Sequence, residues 1–304
     1  QIGEGGCGVV YLAEQKEPIR RKVALKVIKL GMDTKQVVAR FEAERQALAM
    51  MDHPNIARLV DAGALADGQP FLAMEYVDGV ALDEYCESHA LDTGERIRLL
   101  LRVADALAHA HRNLVIHRDI KPSNILVDRE SGRPKLLDFG IAKLVGSHKD
   151  RNLTQQNLGP MTPMYAAPEQ FKGEAITVAT DIYQFGVLLY RLISGGLPYD
   201  TATDDPVAWA RAVIEDDPLR LNHARMRRNL AFEPNVGTAG KRSRRKASRD
   251  LDAIVLRATA DRPALRYASA EELRDAALAP LLGMLAALPV SSLEMVKPIG
   301  RLIG

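Results

Sequence analysis

The chain has 304 residues, of which 47% are hydrophobic and 26% are charged. This balance is typical of globular proteins and excludes an overall disordered or fibrous chain, while the length predicts about two domains. Lysine and arginine total 41 against 39 aspartate and glutamate residues, so no overall positive field attracts the chain to nucleic acid or to an anionic membrane.

The two cysteines, Cys7 and Cys86, are too few for a disulfide framework or a zinc site. They fit a reducing compartment, so we expect a cytoplasmic location. No uncharged run reaches the roughly 18 residues that a membrane-spanning helix needs. We therefore expect membrane contact only through regions outside this chain, as in the cytoplasmic domain of a larger anchored protein.

The beginning of the chain predicts a small lobe built mainly of strands. An apolar run at Val9–Leu12 and the alternation of Val23, Leu25 and Val27 predict two strands joined by a turn. Between Lys35 and Met51 the spacing changes to that of an amphipathic helix. The segments ARLVDAG and FLAMEYV then predict two more strands, so this lobe has one helix.

Two amphipathic helices dominate the chain after residue 80. The apolar stripes consist of Ile97, Leu100, Leu101, Ala104, Leu107, Ala108 and His111 in the first helix, and Ile182, Phe185, Leu189 and Leu192 in the second. Between them, residues 116–165 combine short apolar runs, turns and polar side chains, which is typical of a cleft. We expect a small lobe over 1–79, a larger, mainly helical lobe over 80–279, and a tail or linker over 280–304.

The segment IGEGGCGVVY contains a glycine pattern that is suited to phosphate binding. Gly3, Gly5, Gly8 and Val10 form G-x-G-x-x-G-x-V, in which backbone amides can approach phosphate oxygens without side-chain clashes. A dinucleotide-binding fold would require a helix to begin at the third glycine. Because a strand is predicted there instead, the pattern favours a hairpin that covers phosphates.

Lys26 and Glu44 are charged residues that both require partners. Lys26 lies on the opposite strand face from Val23 and Val27, and Glu44 lies on the apolar stripe of the next helix, seven residues after Val37. Together they suggest an ion pair directed at nucleotide phosphates. The alternative is a surface lysine and an unrelated glutamate.

Three further motifs decide between these alternatives. His117–Asn124 reads HRDIKPSN, Asp138–Gly140 reads DFG, and Ala167–Glu169 reads APE. With these motifs in this order, the chain resembles the eukaryotic-like protein kinase family, and most of all its bacterial serine/threonine branch, over residues 1–279. The resemblance implies a two-lobed α+β kinase fold, with a small antiparallel sheet and one helix in the first lobe.

The resemblance assigns catalytic roles to residues of these motifs. Asp119 orients the substrate hydroxyl and accepts its proton, while Asn124 and Asp138 are ligands for Mg²⁺, with Mn²⁺ as an alternative. Lys121 lies near the transferred phosphate, as in serine/threonine kinases. Thr162 is expected to form a hydrogen bond toward Asp119 and Lys121.

The resemblance also implies an ATP pocket that is mostly apolar. Met74 corresponds to the gatekeeper, and the backbone from Glu75 to Val77 corresponds to the hinge that contacts adenine. The residues expected to bind ATP are Ile2, Gly3, Gly5, Gly8, Val10, Ala24, Lys26, Glu44, Met74, Glu75, Val77 and Leu126.

Other residues are given structural or regulatory roles by the resemblance. Glu169 is expected to pair with Arg266, and Asp181 is expected to brace the catalytic loop. Arg118 is a candidate partner for a phosphorylated residue, with Thr154 as the first candidate acceptor and Thr162 also regulatory. The basic run 241–249 lacks aromatic residues, so we predict a surface insertion and no nucleic-acid partner, with autophosphorylation at its Ser248 as an alternative.

The sequence thus predicts a serine/threonine kinase that uses ATP and magnesium to modify proteins, its own chain included, with self-association for phosphorylation in trans. Two alternatives stay open. A pseudokinase scaffold usually lacks Lys26, Asp119 or Asp138, and all three are present. A small-molecule phosphotransferase would lack the APE segment.

Overall fold

The structure, a computed structural model, describes residues 1–5, 8–28, 51–139, 162–201, 203, 205–221 and 249–285. The strands are β1 Gly3–Gly5, β2 Gly8–Gln15, β3 Arg21–Ile28, β4 Leu59–Ala64, β5 Pro70–Glu75, β6 Gly79–Ala81, β7 Ile125–Asp128 and β8 Pro134–Leu136. The helices are α1 Leu82–Ser88, α2 Thr93–Arg112, α3 Pro168–Lys172, α4 Val178–Ser194, α5 Pro206–Glu215, α6 249–258 and α7 Ala270–Leu285.

The strands form two antiparallel sheets. The larger sheet has the order β1-β2-β3-β5-β4 and forms the first lobe. The smaller sheet has the order β6-β7-β8, and Gly79 in β6 lies opposite Asp128 in β7. The predicted α+β architecture is confirmed, as are the four strands expected in the first lobe. The helix predicted from Lys35 falls on residues outside the described ranges.

The two amphipathic helices predicted in the second lobe are α2 and α4. Asp92 begins α2 with a capping box, in which its carboxylate accepts the Glu95 N–H and the Glu95 side chain accepts the Asp92 N–H. Helix α4 begins after Thr177, whose hydroxyl accepts the Ala179 N–H, and ends at Gly195, which has a left-handed φ of 72°.

Helix α4 lies at the centre of the larger lobe. It is buried around almost its whole circumference, in contrast to the one-sided burial of a surface helix. At Gly186 a Cβ atom would lie 2.7 Å from the Cβ of Ala258, so the glycine lets α6 approach α4 closely. Polar residues on α4 are therefore held rigidly where they meet the catalytic loop.

The segment 53–57 connects the first lobe to the second. Asn55 accepts the Leu136 N–H at its carbonyl oxygen and donates from Nδ2 to the carbonyl oxygen of Pro134 at 2.7 Å. Ala57 donates its N–H to Leu136 at 2.9 Å. These bonds join the first lobe to β8, which lies beside the floor of the cleft. Among the described helices, none is long and apolar enough to cross a membrane.

Candidate active site

The glycine pattern forms the hairpin β1–β2, in which Gly5 lies opposite Gly8 and Gly3 lies opposite Val10. Since a strand begins at Gly8, the hairpin interpretation is confirmed and the dinucleotide-fold alternative is wrong. At Gly8, a Cβ atom would clash with the carbonyl oxygen of Val27 in β3. The third glycine of the pattern is thus required for the pairing of β2 with β3 in the sheet. The sequence pattern did not reveal this requirement.

Lys26 points from β3 into the cleft between the lobes. Its Nζ atom lies 2.9 Å from Oδ2 of Asp138, and the two side chains are only 14% and 26% exposed. The surface-lysine alternative is therefore wrong for Lys26. The predicted pairing with Glu44 lies outside the described residues and stays a prediction.

The hinge follows β5. Met74 lies opposite Ala24 in the sheet, which brings the predicted gatekeeper beside the predicted pocket roof. The Glu75 N–H donates to the carbonyl oxygen of Arg58 at 2.8 Å. The Val77 N–H, in contrast, has no hydrogen-bond acceptor among the described residues. This N–H is thus available as a donor, and the adenine contact expected of the hinge stays a prediction.

The side chain of Glu75 points away from the predicted adenine contact. Its carboxylate accepts from Lys135 Nζ in β8 at 2.6 Å and from the Arg58 N–H at 3.2 Å. Lys135 lies opposite Leu126, the predicted pocket floor, in the small sheet. Glu75 thus links the hinge to the second lobe, and sequence reasoning did not find its partner Lys135.

The remaining residues of the predicted pocket lie at the front edge of the cleft. Val10 in β2 lies opposite Lys26 in β3, which brings it to the same part of the sheet. Ile2 donates its N–H to the carbonyl oxygen of Val10 at 2.9 Å, and the residue is 51% exposed. An exposed apolar side chain beside the glycine hairpin is available to contact a bound nucleotide base.

The catalytic loop brings its predicted residues together at Asp119. Oδ2 of Asp119 accepts from Asn124 Nδ2 at 2.9 Å and lies 3.1 Å from Lys121 Nζ. Lys121 Nζ also donates to Oγ1 of Thr162 at 2.7 Å. The predicted contact of Thr162 with Lys121 is confirmed. These bonds fix the orientation of the Asp119 carboxylate.

Two residues can act as metal ligands beside Asp119. Asn124 uses Nδ2 for its bonds to Asp119, so its Oδ1 atom is directed elsewhere and has no donor within the described residues. The Leu137 N–H donates to the backbone carbonyl oxygen of Asn124 at 2.8 Å. Because Asp138 directly follows Leu137, this bond brings Asp138 close to Asn124. One amide oxygen and one carboxylate suit Mg²⁺, which takes its other ligands from phosphates and water.

This donor set differs from a metal cage made by protein alone. Within the described ranges no group of three or more His, Cys, Asp or Glu side chains is arranged to hold a metal ion. Asn124 and Asp138 would supply two oxygen ligands, and a Mg²⁺ ion held by them would take its other ligands from phosphate and water.

His117 supports the loop as a neutral imidazole. Its Nε2 atom lies 2.6 Å from the carbonyl oxygen of Leu137, and Nδ1 accepts the Asp119 N–H at 3.2 Å. Complete burial lowers the pKa of His117 despite the nearby Asp181 carboxylate. The neutral ring matches these bonds, since a ring that accepts at Nδ1 carries its proton on Nε2.

Asp181 braces the main chain of the loop, as predicted. Its carboxylate is inaccessible to solvent and accepts the N–H groups of His117 at 2.8 Å and of Arg118 at 2.7 Å. His111, on α2, contacts the same carboxylate through Nε2 at 2.8 Å. His111 was assigned by its sequence pattern only to an apolar helix face, so this contact was missed.

Glu169 and Arg266 form the predicted ion pair. Two bonds of 2.7 and 2.9 Å join the carboxylate to the guanidinium group. Thr180 Oγ1 also donates to the carboxylate at 2.8 Å. Burial alone would raise the pKa of Glu169, but the hydrogen bonds and charge of Arg266 outweigh it and lower the pKa below its usual value.

The predicted regulatory residues are only partly described. Arg118 has a left-handed φ of 69° directly before Asp119, and Thr162 begins the described part of the segment that leads to APE. Thr154, Ser248 and Cys7 lie outside the described residues. The role of Arg118 toward a phosphorylated residue stays a prediction.

Residues 1–273 match the protein kinase domain family. The chain is 37% identical over 276 residues to the serine/threonine-protein kinase pkn3 of Myxococcus xanthus. This alignment covers 89% of this chain and 47% of pkn3. The chain is 34% identical to the serine/threonine-protein kinase PrkC of Bacillus subtilis, over 90% of this chain and 38% of PrkC. The chain thus spans less than half of the length of these relatives.

Solved structures show the same fold. The PknI kinase domain of Mycobacterium tuberculosis has a TM-score of 0.64 and 28% identity, with 92% of both chains covered. Rad53 1-466 in complex with AMP-PNP also has a TM-score of 0.64, at 21% identity, over 90% of this chain and 62% of that chain. The cleft geometry, the three motifs and these matches agree: the chain belongs to the protein kinase domain family.

Proposed function

We propose that this chain is an active serine/threonine protein kinase that transfers the γ-phosphoryl group of Mg-ATP to hydroxyl groups of proteins, including its own. The observation that carries this proposal is the arrangement of Asp119, which contacts both Lys121 and Asn124, beside the Lys26–Asp138 pair. Phosphoryl transfer depends mainly on positioning and on charge neutralisation, and these residues supply both.

Asp119 acts on the hydroxyl group that attacks. Its carboxylate, held by Asn124 and Lys121, orients the substrate hydroxyl and accepts its proton as the oxygen bonds to the γ-phosphorus and the bond to the leaving ADP oxygen breaks. Lys121 is also held by Thr162, so its charge is placed where negative charge is transferred. This lysine position supports serine and threonine as acceptors.

Lys26, Asn124 and Asp138 serve the nucleotide side of the cleft. Lys26 supplies a positive charge for phosphate oxygens, and the Asn124 amide oxygen and the Asp138 carboxylate would hold the metal. When bound, Mg-ATP supplies the phosphoryl group and the metal charge that neutralises it. The Val77 N–H and the apolar side chains around Ala24 and Met74 would hold the adenine ring.

The experiment is phosphosite mass spectrometry of purified protein incubated with Mg-ATP and a basic protein substrate. We expect phosphoserine and phosphothreonine, with Thr154, Thr162 and Ser248 as the sites to inspect in the chain itself. In Asp119→Asn the rate should fall about 10²- to 10⁴-fold, since the group that accepts the proton is removed. Asp275→Asn, at an exposed position on α7, is the matched control.

Two outcomes would contradict the proposal. Equal phosphorylation in Asp119→Asn would assign the activity to a contaminating kinase. No phosphate on the chain or on the substrate, in protein shown by calorimetry to bind ATP, would instead favour the pseudokinase scaffold. No observation made on the described residues favours that alternative.

The cellular setting is part of this proposal. Chemistry on ATP and a buried, reduced Cys86 support a cytoplasmic location. We propose that copies associate for phosphorylation in trans and that any membrane attachment uses regions outside this chain. A rate of autophosphorylation per molecule that does not change with protein concentration would contradict the step in trans.

A further inference from the structure

Two glutamine side chains lie between the catalytic loop and the segment that carries APE. Gln184 on α4 is 1% exposed, and Gln170 on α3 is half-buried. Their amides contact each other, with Gln184 Nε2 donating to Gln170 Oε1 at 2.8 Å. Neither residue belongs to the set that the sequence motifs single out.

Gln184 contacts both peptide groups that flank Asp119. Its Oε1 atom accepts the Ile120 N–H at 2.8 Å, and its Nε2 atom donates to the carbonyl oxygen of Arg118 at 3.1 Å. The first of these groups follows the Cα atom of Asp119 and the second precedes it. A single side chain thus fixes the orientation of the backbone on both sides of Asp119.

Gln170 extends the contact to the other segment. Its Nε2 atom donates to the same carbonyl oxygen of Arg118 at 3.2 Å, and its Oε1 atom accepts the Ala167 N–H at 2.9 Å. Both protons of the Gln184 amide and its oxygen are used, so the bonds determine which way each amide faces. Rotation of Gln184 would point its NH₂ group at the Ile120 N–H.

Asp181, one helical turn before Gln184, completes the set. It accepts the N–H groups of His117 and Arg118, while His117 accepts the N–H of Asp119. Every backbone donor from residue 117 to residue 120 therefore has an acceptor, and two of these acceptor side chains lie on the buried helix α4. The left-handed backbone of Arg118 is held in place by these bonds.

We infer that Gln184 and Gln170 are positioning residues that set the backbone of Asp119 and couple it to the APE segment. The pair acts through Asp119, and its hydrogen bonds among the described residues do not include Asn124 or Asp138. The inference rests on the proposed kinase activity for its effect on rate, but the geometry itself can be tested without that activity.

The test compares Gln184→Met, Gln170→Met and the double variant. Methionine keeps the volume of each side chain and removes the hydrogen bonds. We expect Gln184→Met to lower kcat about 10- to 100-fold, as a small misplacement of a catalytic group does, with the KM for ATP changed less than about twofold. Gln170→Met should lower kcat less, and the double variant should be no worse than Gln184→Met alone, because the two act as one unit.

The rates are normalised to the fraction of protein that binds ATP, so that partial unfolding does not imitate a lower kcat. Ser194→Ala is the matched control, since Ser194 is fully buried near the other end of α4 and accepts only the Gly196 N–H among its described contacts. It removes one buried hydrogen bond from the same helix, and kcat should stay at the wild-type value. If Gln184→Met does not fold, the inference is tested with Gln170→Met, since Gln170 is only half-buried.

Hydrogen exchange of the Ile120 amide provides a readout that is independent of phosphorylation. Exchange should be at least about tenfold faster in Gln184→Met and unchanged in Ser194→Ala, because only the former loses the acceptor. Unchanged exchange, or wild-type kcat in both glutamine variants, would overturn the inference. If the wild type were inactive but Ile120 exchange were still faster in Gln184→Met, the proposed function would be refuted. The inference that Gln184 positions the backbone of Asp119 would stand.

Discussion

At the scale of single residues, Lys121 is notable because its amine lies between two functional oxygens. It is 3.1 Å from Oδ2 of Asp119 and 2.7 Å from Oγ1 of Thr162. The Thr162 hydroxyl thus holds the same amine that contacts the catalytic carboxylate. Thr162 was also a regulatory candidate, and its contact with Lys121 describes a different role.

Replacing the Thr162 hydroxyl should therefore reduce the rate. Thr162→Val keeps the branched shape and removes the bond, and a hydrogen bond to a charged group contributes about 1.5–3 kcal/mol. If that contribution is present in the transition state, kcat falls about 10- to 100-fold. The rate of peptide phosphorylation at saturating ATP measures this fall in kcat. Thr162→Ser retains the hydroxyl and should restore most of the activity.

The two roles of Thr162 give different results in this series. If Thr162 acts mainly as a phosphorylation site, protein freed of phosphate by a phosphatase would show the same low rate for wild type and Thr162→Val. If it acts by holding Lys121, the difference persists after phosphatase treatment. Equal rates after that treatment would contradict the positioning role.

At the scale of elements, the Glu169–Arg266 pair joins α3 to the segment before α7. All five N–H groups of the guanidinium have acceptors: two on Glu169 and one each on the carbonyl oxygens of Ala179, Ala260 and Asp261. The two side chains are 0% and 2% exposed. Removing one partner leaves a buried charge without its counter-charge.

Arg266→Met should therefore lower the free energy of unfolding by about 3–5 kcal/mol, and Glu169→Gln should also destabilise strongly. Urea denaturation followed by circular dichroism measures both. The double variant should recover part of the loss, since neither charge is then stranded. Arg211→Met, in the exposed pair with Glu215, is the control and should leave the midpoint unchanged.

The sign of the Glu169 contribution follows from its pKa. Because the folded chain holds this pKa below the usual 4.5, the pair stabilises the fold above that pH. The contribution is lost as pH falls toward the lower folded pKa. If the variants lowered the free energy of unfolding by the same amount at pH 7 and at pH 3, they would act through packing alone.

Most of these elements were predictable from sequence because their signals are local. The alternation in β3, the apolar stripes of α2 and α4, and the motifs around Asp119 each depend on neighbouring residues. The Glu169–Arg266 pair was predictable only through the family resemblance, since its members are far apart in the chain. The first lobe's helix and the residue Glu44 belong to the part of the chain outside the described ranges.

The contacts that were missed are long-range and carry no motif of their own. Gln184 meets Arg118 and Ile120 only because α4 packs under the catalytic loop, and Lys135 meets Glu75 only because β8 approaches the hinge. One signal was available: Gln184 lies one helical turn after Asp181, on the same face of the helix. A polar residue at that spacing in a buried helix requires a partner.

At the scale of the whole molecule, the two lobes share hydrogen bonds away from the hinge. Asn55 and Ala57, which precede β4, bond to β8 in the second lobe. His53, two residues earlier, lies 3.1 Å from Asp105 on α2, and Arg274 on α7 contacts the other oxygen of that carboxylate at 2.9 Å. The first lobe is thus fixed to the helical core at its back, while its glycine hairpin at the front lies outside these bonds.

Two histidines in this core and its junction make stability depend on pH. Burial lowers the pKa of His117, which faces the carboxylates of Asp181, Asp119 and Asp138. Burial also lowers the pKa of His109, whose ring lies 5.2 Å from that of His53. In the unfolded chain both regain a pKa near 6.5, so the unfolded state binds more protons just below that pH.

We therefore expect the free energy of unfolding to be constant above about pH 7 and to decrease as pH falls below 6.5, by at most about 1.4 kcal/mol per pH unit for each histidine. The decrease ends when the folded chain also takes up the protons. His117→Gln should make the slope between pH 6.5 and pH 5 shallower without removing it, because His109 remains. Urea titrations at half-unit pH steps measure the slope. A slope in His117→Gln equal to that of the wild type would show that the folded chain protonates His117 as readily as the unfolded chain does.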